Sequence, residues 1–109
     1  MTDPKYMLQT VPTDKAFALA RLIWFCEEND VEIEKVAFFN NGFTVIFKNL
    51  SGDAICHDGS LANRFGMWET MGMPWDRSNV SVHDPEALAK MLSALKKGED
   101  WQKYEKESL

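Results

Sequence analysis

The chain has 109 residues, 45% hydrophobic and 12% aromatic, which suits one packed core at the commonest size of a single domain. Its formal net charge is −5 and its longest basic cluster is Lys96-Lys97, which disfavours direct binding to nucleic-acid phosphates or anionic membranes. It has no apolar run of about 18 residues to span a bilayer.

Residues 1–109 are read as a single globular domain, with 1–11 a lead-in and 99–109 a partly ordered tail. MTDPKYML lacks the basic and apolar regions of a signal peptide. Cys26 and Cys56 form neither a disulfide framework nor a CxxC pair, so a reduced, cytoplasmic protein is expected.

In the lead-in, Tyr6, Leu8 and Thr10 alternate as an edge strand would. Pro12 and Thr13 then open a helix, Thr13 as the cap and Asp14 complementing the positive first turn. KAFALARLIWFCEEN is apolar nearly all round except at Arg21, which predicts a helix buried on more than one side and fraying near Asn29-Asp30. The run EENDVEIE, Glu27 to Glu34, concentrates acidic residues that read as a solvated helix end and strand start, or as a surface for a basic partner.

VEIEKVAFF and FTVIFKN flank Asn41-Gly42, the strongest short hairpin signal, because both residues tolerate positive φ. With Asn41 and Gly42 as the loop, Phe38 faces Val45 and Val36 faces Phe47. These four and Phe43 share the more apolar side, expected to face the core. Lys35, Ala37, Phe39, Thr44, Ile46 and Lys48 take the other side. Ser51-Gly52 turns into a third strand, DAICH, whose Ala54 and Cys56 face the core while Ile55 and His57 point away.

DGSLANRF reads as a loop, Met67 to Met71 as a fourth strand ended by Gly72 and Pro74, and Val80 to Val82 as a short fifth. HDPEALAKMLSALKKG is a well-marked helix with Asp84 capping, Pro85 in first position, and Lys96 and Lys97 before Gly98. Trp101 and Tyr104 anchor a short helix in the tail. The whole predicts an α+β fold: an antiparallel meander of three to five strands packed against an N-terminal and a C-terminal helix.

Three stretches bear on function. CHDGS places Cys56, His57, Asp58 and Ser60 together, but adjacent strand residues point to opposite faces, so Cys56 and His57 form no nucleophile–base pair. His57, Asp58 and His83 make a loose acid–base or three-ligand set only if their loops meet, and they lack a metal-binding spacing; no catalytic residue, metal site or cofactor is assigned.

GMWETMGMPWD holds Met67, Met71 and Met73, thioethers that suit copper(I) but more often fill irregular core or adaptable binding surfaces. Its Trp68 and Trp75, with Met71, are interface candidates if exposed, although closing one side of the sheet is the plainer role. Phe39, Ile46 and Ile55 lie on the sheet's second face, apolar enough for a partner or a homodimer. The interaction set is therefore Trp68, Met71, Trp75, Phe39 and Ile55.

The resulting expectation is a small non-enzymatic binding or regulatory protein acting through a protein–protein interface, its partner unknown. By composition alone it is of a kind with small acidic proteins of bacteria and phages, including inhibitors of host nucleic-acid enzymes. The alternative is a small metal-dependent or hydrolytic enzyme using His57, Asp58 and His83.

Overall fold

The computed structural model describes residues 12–76 and 80–105. The predicted lead-in strand at Tyr6, Leu8 and Thr10 lies outside them. The order is α1 (Thr13–Glu28), β1 (Ile33–Phe39), β2 (Gly42–Phe47), β3 (Asp53–Cys56), a 3₁₀ turn (Asn63–Phe65), β4 (Trp68–Met71), β5 (Ser81–His83), α2 (Pro85–Lys97) and α3 (Gln102–Glu105). The strands form one antiparallel meander, β1-β2-β3-β4-β5, so the expected α+β fold is the observed one. No helix of the described residues is long and apolar enough to cross a membrane.

α2 forms where its sequence says. The Asp84 carboxylate accepts from Glu86 N at 2.9 Å, Pro85 follows, and Gly98 closes the helix in the left-handed conformation at φ 72°. α1 departs from expectation twice. Pro12 stands at the cap position and no side chain caps the helix, so Thr13 is its first residue and not its cap. The helix also buries one side only, through Lys15, Ala18, Leu22 and Cys26, at spacings 3, 4 and 4. Phe17 and Trp24, seven residues apart on the opposite side, are 65% and 61% exposed. An apolar residue on every face does not itself supply a second neighbour, and the compact meander brings only one.

The hairpin closes one residue earlier than expected. Asn40 and Asn41 take the positive φ values, 50° and 59°, and Phe39 pairs with Gly42, Phe38 with Phe43, and Val36 with Val45. Gly42 is therefore a strand residue, needed because a Cβ there would lie 2.1 Å from the Cys56 carbonyl oxygen. Moving the turn by one residue moves each pairing by two, which preserves the side every residue faces. Val45, Phe47, Ala54 and Cys56 accordingly join Trp68, Leu22, Leu88, Met91 and Leu92 in the core, whereas Val36 and Phe38, expected there too, lie on the same side but at the sheet edge beyond the helices' cover and are exposed. Both helices lie on that side of the sheet, and Trp101 and Tyr104 of the tail pack against the same core.

Candidate functional site

The CHDGS turn uses its polar groups on itself and on its neighbours. Cys56 is fully buried, its Sγ donates to the Asn63 carbonyl at 3.8 Å, and burial pushes the thiol up to about 11. His57 lies on the other side of the strand and its Nδ1 accepts from Gly59 N at 3.0 Å. Ser60 Oγ donates to the His57 carbonyl at 2.8 Å and accepts from His57 N at 3.0 Å. Asp58 accepts from Asn41 Nδ2 at 2.9 Å and approaches the ammonium of Lys15 at 3.8 Å, which ties hairpin, turn and helix start together.

His83 belongs to a different place. It sits in β5 opposite Trp68, on the helix side of the sheet, with His57 two strands away and on the other side. His57, Asp58 and His83 are thus not brought together, and the described residues hold no group of three His, Cys, Asp or Glu side chains able to share a metal ion.

The polar convergence that the fold does build was not visible in any local motif. Thr70, Trp75, Asp76, Ser81 and His83 meet beneath the β4–β5 end of the sheet. Thr70 Oγ1 donates to Asp76 Oδ1 at 3.0 Å and accepts from Trp75 Nε1 at 3.0 Å. Ser81 Oγ also donates to Asp76 Oδ1, and Met73 N donates to Asp76 Oδ2 at 3.1 Å. His83 Nε2 stands 2.6 Å from Ser81 Oγ and 3.2 Å from Thr70 Oγ1.

With both hydroxyl protons directed at Asp76, the proton between ring and hydroxyls must be on Nε2, so His83 donates to both. Burial pulls its pKa down to about 4 against the opposing pull of Asp76, which keeps the ring neutral at neutral pH. In a hydrolytic triad the imidazole lies between carboxylate and hydroxyl and accepts the hydroxyl proton. Here the hydroxyl lies between carboxylate and imidazole, and His83 is 1% exposed. The cluster ties Met73, Trp75 and Asp76 to the sheet through Thr70 and Ser81.

Trp68 and Trp75 are corrections to the interaction set. Trp68 is buried to 0% exposure, its indole N–H donating to the Ala18 carbonyl at 3.3 Å, and Trp75 packs edge-on to His83 and Trp101. Met71, Phe39 and Ile55 fall together on the sheet face that no helix of the described residues covers. Phe39 is 61% and Met71 57% exposed, with Ala37, Thr44, Ile46, Ile55 and Val82 half-buried around them. The His57 ring stands edge-on to Phe39 at 5.4 Å.

Two carboxylates interrupt this apolar face. Asp53 pairs across the ladder with Met71, and Glu69 with Ile55. Partial burial, then Glu69, then Asp76 push the Asp53 carboxyl above its ordinary range. Among the described residues no cation forms an ion pair with either. The missed exposed residues are Phe17 and Trp24 on α1 and Leu61 and Phe65 in the loop before β4, each more than half exposed. No protein-family model, curated protein or solved structure matches this chain.

Proposed function

We propose that the chain is a small non-enzymatic binding or regulatory protein whose open sheet face docks on another protein. The observation that carries this reading is a half-apolar sheet surface, with Phe39 and Met71 standing out of it, that no helix of the described residues covers. Met and Phe are favoured at the centres of interfaces, and β-sheet residues present them with little conformational freedom left to lose.

Asp53 and Glu69, which form no ion pair among the described residues, suggest the partner's chemistry: an apolar surface carrying Lys or Arg.

The test is affinity capture from the native host, followed by calorimetry on the purified pair with wild type, Met71→Glu and Asp53→Asn. Met71→Glu should abolish binding with the fold intact. Asp53→Asn should weaken binding while raising the melting temperature of the free protein, since the fold holds that carboxyl above its ordinary pKa and so resists its charge. A partner that binds Met71→Glu as well as wild type overturns the assignment.

A further inference from the structure

We infer that the outer edge of β1 accepts an extended apolar and cationic peptide segment as a sixth strand, on a surface separate from the open face. Among the described residues β1 pairs only with β2. A two-residue turn closes on a hydrogen-bonded pair, here Phe39 and Gly42, and such pairs alternate along an antiparallel ladder. Phe39, Ala37 and Lys35 therefore spend their backbone groups on β2, while Val36 and Phe38 direct theirs outward.

The same two residues expose their side chains, 40% for Val36 and 50% for Phe38. Edge strands are usually blunted by charge, proline or a bulge. β1 has a register shift between Ile33 and Lys35 and charges at Glu34 and Lys35, which protect its first half only. The half Val36-Ala37-Phe38-Phe39 has no such guard.

Beside this edge, between α1 and β1, runs a groove of about 380 Å³ lined by Ile23, Val31, Ile33 and Val36 together with Glu27 and Glu32. An added strand alternates its side chains, so those on the helix side enter the groove while its main chain pairs with Val36 and Phe38. Of the two carboxylates, Glu32 meets Lys48 at 3.1 Å, and Glu27 forms no ion pair among the described residues. A Lys or Arg at the corresponding end of the peptide completes the match. A second copy of the chain fits less well: antiparallel pairing of β1 with β1 sets the uncharged Asn40-Asn41 turn beside Glu27 and Glu32.

The probe is a display library of random peptides selected on the immobilised full-length protein. Enriched sequences should alternate apolar residues and carry Lys or Arg at one end. A synthetic peptide of the enriched sequence should lose about tenfold or more in affinity on Val36→Pro, which removes an outward donor and leaves the inner ladder intact. It should lose affinity similarly on Glu27→Lys, an exposed change that does not endanger folding, and should perturb the amide resonances of Val36 and Phe38 in the wild type.

Met71→Glu should leave peptide binding unchanged, so that failure of the open-face reading and failure of this one are told apart. Enriched peptides without alternation, equal binding to Val36→Pro and Glu27→Lys, or perturbed amides confined to other strands would overturn the proposal. So would a chain that sediments as a dimer in wild type and as a monomer in Val36→Pro, which assigns the edge to a second copy.

Discussion

Acidification tests the buried polar cluster most directly. His83 is 1% exposed, and its pKa falls from 6.5 to about 4 on folding. Because the folded value is the lower one, the unfolded chain takes up the extra proton as pH drops. The contribution of the neutral ring to stability is whole above about pH 6.5 and is lost between there and about pH 4. Complete loss corresponds to about 3 kcal/mol, of which about 2 kcal/mol has gone by pH 5. That is a large share of the stability of a domain this size.

Urea titrations at pH 7 and pH 5 read it as a midpoint lowered by about 1 M. Asp53 titrates in the opposite sense, since its folded pKa is raised and protonation favours the fold, so wild type alone mixes the two. His83→Gln separates them: the amide keeps a donor toward Ser81 and Thr70 and cannot titrate. The variant should lose about 2 kcal/mol less than wild type over the same interval. Equal losses in the two proteins refute the assignment of the acid sensitivity to His83.

Gly42→Ala should destabilise by about 2 kcal/mol or more, since the new methyl meets the Cys56 carbonyl at 2.1 Å and the His57 Cα at 2.5 Å, and calorimetric melting measures it. Both thiols should resist a disulfide reagent at neutral pH until the chain opens, because Cys26 and Cys56 are buried and burial pushes them up to about 12 and about 11; fast labelling of the native protein contradicts the core placement. The tryptophans should divide by position: Trp68→Ala should cost about 3–5 kcal/mol, whereas Trp24→Lys should stay within about 0.5 kcal/mol. Denaturation of the two variants gives that comparison.

What could be read in the chain follows how local each signal is. α2 was legible to its ends because Asp84, Pro85 and Gly98 act within one turn of themselves, and the sheet faces were legible because period two survives an error in the turn. α1 was not, because an all-round apolar helix says how much surface it offers and not how many neighbours it meets. Trp68 and Trp75 read as interface candidates because their burial depends on Ala18 and Trp101, distant in the chain. The Thr70–Asp76–Ser81–His83 cluster was invisible for the same reason: Thr70 meets Ser81 across a ladder whose register the sequence does not fix, and Asp76 comes from the segment between the strands. Of the interaction set, Phe39 and Ile55 were placed by strand parity and are exposed and half-buried, while Met71, taken from the stretch rich in methionine and tryptophan, is exposed.

Parity also divides labour within the sheet. In β4, Trp68 and Thr70 turn into the core while Glu69 and Met71 turn out; in β3, Ala54 and Cys56 turn in while Asp53 and Ile55 turn out. A slip of one residue would expose Trp68 and carry Glu69 inward, where an unpaired carboxylate costs several kcal/mol. The carboxylates of the open face therefore specify register as well as charge. Partial burial first, then Glu69 and Asp76, raise the Asp53 carboxyl, so its charge is a cost to the isolated fold. On the proposed reading, a partner that brings Lys or Arg to that face would offset the coulombic part of this cost without touching the core residues one position away.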